Sequence, residues 1–169
     1  MSLIKLKTRF KNGAAYLEDV YGGAAIIMAL MTPVIIGGLA FGAEVGGWEL
    51  MKRRIQNAAD ISAYAAGTQI RSGKSGSALD AAALEVATES GYTGGSTGLQ
   101  IEHPPSSAPL VPDSQNPGTM VDPNGDNEYV NVILTETVKR NFTRYFARGS
   151  NSISIVSAAV ARIQNGRPA

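Results

Sequence analysis

Residues 20–43 read VYGGAAIIMALMTPVIIGGLAFGA, a run with no charged residue in which only Tyr21 and Thr32 carry polar side-chain atoms. No other feature restricts the possible folds as much. A hydrocarbon core of about 30 Å takes roughly 20 apolar residues in helical form, and this run is long enough. It is also too glycine-rich for an ordinary soluble core helix, where each glycine costs about 1 kcal/mol relative to alanine. In a bilayer the same glycines allow close helix–helix approach and are enriched. The run therefore predicts a single transmembrane helix over 20–43.

Two other readings compete. A cleaved signal peptide would use Lys5, Lys7, Arg9 and Lys11 as its basic region, with Gly38 and Ala40 as small residues before a cut. Its apolar part ordinarily runs about 7–15 residues, whereas this one is longer and its helical pattern continues past the cut. A buried helix of a soluble protein would need other segments to cover it, and few here could do so.

The 169 residues leave room for one modest domain besides an anchor. The formal net charge is +1, so no basic field argues for nucleic acid as a partner. Charged residues make up only 17% of the chain, against 19 Gly and 8 Pro, which suits a loop-rich exported domain. Cysteine is absent, which excludes disulfides, thiolate metal sites and cysteine nucleophiles.

Four segments follow from this. Residues 1–19, with four Lys/Arg against Glu18 and Asp19, are predicted to be cytoplasmic. Lys52, Arg53 and Arg54 lie beyond the span, so four against three sets orientation only weakly, and the large polar C-terminal part favours N-in, C-out. Residues 44–72 are predicted to continue the helix outside the membrane. Apolar or small residues recur there at Met51, Ile55, Ala58, Ala59, Ser62, Ala66 and Ile70, with Glu49 and Arg53 as an exposed i,i+4 pair. A helix over 22–70 would be ~74 Å long at about 1.5 Å per residue, with roughly 40 Å outside the bilayer.

Residues 73–169 are predicted to form a small extracytoplasmic α+β domain. Its helix would be capped by Ser77 with Asp80, would bury Leu79, Ala82, Ala83 and Val86, and would stop at Gly91. The stretch 93–128 reads mostly as turn and loop, with only 99–102 and 119–121 able to form short strands. Residues 129–138 alternate, placing Val130, Val132, Leu134 and Val138 on one face. A short helix over 141–148 would bury Phe142 and Phe146. A second strand over 152–163 would carry Ile153, Ile155, Ala159, Ala161 and Ile163 on one face. The predicted class is α+β: a single-pass membrane protein whose long N-terminal helix is packed by a small antiparallel sheet.

The run GGAAIIMALMTPVIIGGLAFGAEVGGWELMKRRIQNAADISAYAAG resembles the N-terminal signature of TadE/TadG-like proteins, pilin-like membrane components of the bacterial tight-adherence (Flp) pilus assembly system. The positions that carry the likeness are Ala29, Leu30 and Pro33, then Glu44, then Ile55, Gln56, Asn57, Ala58, Ala59 and Asp60 as IQNAAD. The stretch SISIVSAAVAR is similar to a strand that often ends such proteins. Glu44 stands where the family usually has Asp. Met28 stands where peptidase-processed pilins carry Glu, so the likeness is to the TadG-like branch. The chain is shorter than many TadG-like proteins.

The resemblance implies a structural, minor-pilin or pseudopilin role in the bacterial inner membrane. Its partners would be other pilus-assembly or pilin-like membrane subunits. It implies no cofactor, small-molecule substrate or nucleic acid.

Candidate sites fall along the helix. Gly38, Gly42 and Gly46 repeat at i,i+4 and together with Ala58, Ala59, Ser62 and Ala66 form the expected helix-packing interface. Pro33 withholds the N–H that would bond Ala29 and so predicts a kink, with Thr32 placed to satisfy freed groups. Glu44 marks the membrane exit, either as a solvated carboxylate or as the partner of a basic group on a neighbouring subunit.

Asp122, Asn124, Asp126 and Glu128 alternate as in a calcium loop at 122–128, but Asn127 and Ile133 stand where such a loop wants Gly and Glu, and an ordinary turn explains the run better. His103 is the only histidine, and no nucleophile elbow or Walker spacing accompanies it, so no enzyme is expected. The alternative class is a membrane-tethered binding module using the 93–128 loop.

Overall fold

The computed structural model describes residues 20–146 and 149–163. The predicted cytoplasmic segment 1–19 lies outside them. The chain divides into two compact units between Ala43 and Glu44. Helix α1, Val20–Arg71, contributes residues to both.

In the first unit α1 is helical throughout its apolar run, Pro33 included. Its large side chains have no cover: Leu30, Val34 and Leu39 are each about two-thirds exposed. This is the one candidate membrane span among the described residues. In water such a surface would be strongly unfavourable, and in hydrocarbon it is the surface required.

The second unit is α+β. After α1 come α2 (Ser77–Glu89) and five strands: β1 (Leu99–Glu102), β2 (Val111–Pro112), β3 (Met120–Val121), β4 (Tyr129–Lys139) and β5 (Ser152–Arg162). The main antiparallel sheet has the order β1-β4-β5, and β2 and β3 form a separate two-stranded ladder. In β4 every position from Tyr129 to Val132 is buried, as expected of a central strand. The register fixes the core face: Leu134 opposes Leu99 and Ser157, Val132 opposes Ile101 and Ala159, and Val130 opposes Ala161.

Onto that face packs the small-residue side of α1, with Ile55, Ala58, Ala59, Ser62 and Ala66 all at 0% exposure. Leu79, Ala87 and Tyr92 complete the same cluster. Alanine keeps the helix backbone close to the strands, so that Val130, Val132 and Leu134 are fully buried despite the modest size of the domain. Ser62 fits between the helices because its hydroxyl donates to the Ala83 carbonyl of α2 at 3.1 Å.

Several sequence expectations change. The helix α2 starts at Ser77 without a side-chain cap, because Gly76 (φ 60°) makes the boundary and its carbonyl accepts the N–H groups of Leu79 and Asp80. Its buried residues are Leu79, Ala83 and Ala87, while Ala82 and Val86 are only half-buried. Residues 141–146 form a single 3-10 turn, Thr143–Tyr145, rather than a helix that buries two aromatics. Phe146 is 75% exposed and stacks at a tilt on half-buried Phe142, centroids 5.0 Å apart. The expected strand at 119–121 is Met120–Val121, paired with Val111–Pro112.

Glu136 interrupts the apolar line of β4 and is nonetheless buried on the core face, opposite Ile155. Its carboxylate accepts the Thr93 hydroxyl and the Thr93 N–H. Beside it the Tyr92 hydroxyl reaches the Thr135 carbonyl at 3.0 Å. Gly94 and Gly98 leave room for that hydroxyl, since a Cβ on either would overlap both it and the Thr135 carbonyl.

Candidate functional surfaces along the long helix

The buried side of α1 begins at Glu44. Glu44, Trp48, Met51, Ile55, Ala59, Ser62 and Ala66 follow one another at three or four residues, so they share one helix face. At the head of that face the Glu44 carboxylate accepts three backbone N–H groups from the chain after β4: Asn141 at 2.5 Å, Phe142 at 3.2 Å and Thr143 at 2.7 Å. An ionised carboxylate is an acceptor only, with room for several donors, and an array of N–H groups meets that need. Sequence reading did not foresee this contact within the chain, and the carboxylate that makes it remains partly open to solvent.

The motif IQNAAD serves the same contact. Ile55, Ala58 and Ala59 are buried, and Asn57 and Asp60 are exposed. Gln56 bridges outward, its amide N–H reaching Asp60 Oδ1 at 3.0 Å and the Ala158 carbonyl of β5 at 3.3 Å. At the far end Gly67 faces Ile163, Val130 and Ala161. Three contacts in order, Glu44 to the turn, Gln56 to Ala158 and Gly67 to Ile163, align this stretch of α1 with β5 in the same direction. Helix rise over 44–67 is about 35 Å, and a strand covering 152–163 spans about 36 Å. The lengths agree.

Ala58, Ala59, Ser62 and Ala66 were expected to form an interface with partner helices. They pack inside this chain instead, because the sheet and α2 cover them completely. Gly38, Gly42 and Gly46 differ: nothing lies within 4 Å of where a Cβ would stand on any of them. At Pro33 the helix continues, and the Thr32 hydroxyl donates to the Met28 carbonyl at 2.7 Å. That carbonyl is not the one on Ala29 that proline leaves without its usual donor.

The loop 93–128 is tied down from within. Glu102 accepts N–H groups from Ser106 and Ser107, both at 3.1 Å, the Ser107 hydroxyl, and the Asn131 amide at 3.2 Å. Burial pushes its carboxyl up, but those donors outweigh it and bring the pKa down to about 2. Asp122 and Asp126 each accept an N–H two residues on, from Asn124 and Glu128, the pattern of a turn. Among the described residues no group of three or more His, Cys, Asp or Glu gathers as a metal site would require. His103 Nδ1 lies 3.0 Å from the Tyr129 carbonyl. Sequence reasoning missed Gln56 as a strand contact and Glu102 as the organiser of its loop. The signal for Glu102 was the EHPPSS run, which places two serines four and five residues after a carboxylate.

Residues 22–69 match the family model Tad, described as "Putative Flp pilus-assembly TadE/G-like". The match covers less than a third of the chain and includes the glycines, Pro33, Glu44 and IQNAAD. No curated protein and no solved structure matches the chain.

Proposed function

We propose that this protein is a structural component of a tight-adherence (Flp) pilus assembly machine, acting as a minor pilin or pseudopilin. Its helix is held in the bacterial inner membrane by residues 20–43, with the N-terminus cytoplasmic and residues 44–169 outside. The observation that carries this reading is the family match over 22–69, in a chain whose matched segment has an uncovered apolar half and a half seated on a sheet. The role is packing rather than catalysis.

With the alanine stripe occupied by the chain's own sheet, the surface available to a partner helix is the one around Gly38, Gly42 and Gly46. Backbones approach closely where side chains are missing, and dispersion then holds helices together in lipid. Gly42→Leu fills that groove while leaving the span more hydrophobic, so insertion is preserved. Ile35→Leu conserves volume elsewhere on the span. Co-purification of pilus-assembly subunits from native membranes, with expression level as control, is expected to fall for Gly42→Leu and to hold for Ile35→Leu. Equal recovery of partners by both variants would show that the glycine face holds nothing.

A further inference from the structure

The connection between β4 and β5 lies at a definite end of the sheet. Lys139 pairs with Ser152 at that end and Tyr129 with Arg162 at the other. The segment bearing Ser107 follows Glu102, which opposes Asn131, so it belongs to the far end. From Asn131 to Lys139 the strand rises by about 26 Å.

Glu44 identifies the near end with a level in the chain. It is the first charged residue after the apolar run 20–43, and its carboxylate holds the N–H groups of Asn141, Phe142 and Thr143. A carboxylate that ends a span stands at the edge of the hydrocarbon, where its cost is small. If residues 20–43 cross the bilayer, the turn fastened to Glu44 is the part of the sheet nearest in the chain to the headgroups.

What this turn presents matches that layer. Tyr145 is 71% exposed and Phe146 75%, and Lys139 and Arg144 are exposed beside them. The Arg144 guanidinium lies 4.7 Å from the centre of the Tyr145 ring and donates to its hydroxyl at 2.6 Å. No Asp or Glu follows Glu136 in the sequence, and Glu44, the one carboxylate at the turn among the described residues, accepts its backbone donors. Uncovered aromatic rings with basic side chains are a poor surface for water and a good one for an anionic lipid interface.

We propose that the 139–146 turn is a second membrane contact. It rests on the anionic headgroups of the bilayer that residues 20–43 cross, with Tyr145 and Phe146 in the interfacial layer and Lys139 and Arg144 on lipid phosphates. The proposal depends on the membrane-span reading above.

The absence of native cysteine makes the test direct. Full-length protein with one cysteine, at Phe146, Ser150, Ser107 or Ile35, is labelled with an environment-sensitive fluorophore. It is then reconstituted in vesicles of phosphatidylcholine with or without phosphatidylglycerol. Ser150→Cys keeps both aromatics in place. Nitroxide lipids, spin-labelled at the headgroup or deep in the acyl chain, serve as quenchers.

Headgroup quenching at 146 and 150 is expected to exceed that at 107 roughly threefold or more. It should rise with phosphatidylglycerol and fall when Lys139→Gln and Arg144→Gln are added. The label at 35 should be quenched by the deep nitroxide. If 35 is quenched and 146 and 150 are no more affected than 107, the turn does not touch lipid and this inference alone is overturned. Quenching at 146 and 150 that ignores phosphatidylglycerol overturns the anionic-headgroup assignment. Failure of deep quenching at 35 removes the span reading and this proposal with it.

Discussion

Glu44 and Thr143 are ninety-nine residues apart in sequence, yet the carboxylate of one accepts the backbone N–H of the other at 2.7 Å. The contact fastens the start of the buried helix face to the turn between the two long strands. It gives the acidic residue that follows the apolar run a structural task in its own fold.

Replacing Glu44 tests that task. Glu44→Ala removes all three acceptor contacts, whereas Glu44→Gln keeps one carbonyl oxygen. Hydrogen exchange at Asn141, Phe142 and Thr143 should speed up by roughly tenfold or more in the alanine variant, and by less in the glutamine variant. Unchanged exchange in both would mean that the turn holds its shape without the carboxylate.

The alanine stripe makes an opposite kind of prediction. Ala59 is fully buried against the sheet, so Ala59→Leu should destabilise the second unit by about 1–3 kcal/mol through overpacking. Exposed Asn57 lies in the same motif, and Asn57→Ala should change stability by no more than about 0.5 kcal/mol. Urea unfolding followed by circular dichroism distinguishes them. Loss of partner co-purification in Ala59→Leu at unchanged stability would return the stripe to the role of an intersubunit surface.

Glu102 predicts a pH dependence with a definite sign. Its folded pKa, about 2, lies below the ordinary 4.5, so the folded state favours the ionised form. The stabilisation is fully present above the unfolded value and is lost as pH falls from about 4.5 towards about 2. Wild type should therefore exceed Glu102→Gln in urea midpoint at neutral pH, and the gap should close across that acid window. A gap that stays constant down to pH of about 2 would contradict the carboxylate's part in the loop.

Much of this was legible from the residues because the patterns were long. An uncharged run of more than twenty residues, a helical stripe from Met51 to Ile70, and alternation from Tyr129 onward each have one main physical solution. What covers the stripe was not legible, since alanines at helical spacing say that something packs closely without saying what. Glu136 reads as a break in an apolar strand because its partner Thr93 is forty-three residues away. Phe142 and Phe146 at i,i+4 look like a helix face, but three backbone N–H groups in that segment turn to Glu44, and a single 3-10 turn results.

The seating of α1 along β5 also sets an order of events in time. Gln56 meets the Ala158 carbonyl across 102 residues of sequence. At synthesis rates of about 5–20 residues per second, the strand follows its helix by roughly 5–20 s. The apolar run precedes both, so it is already made while Ala58, Ala59 and Ala66 still lack the surface that will cover them. During that interval the nascent helix carries an open small-residue face, which closes only when β5 arrives.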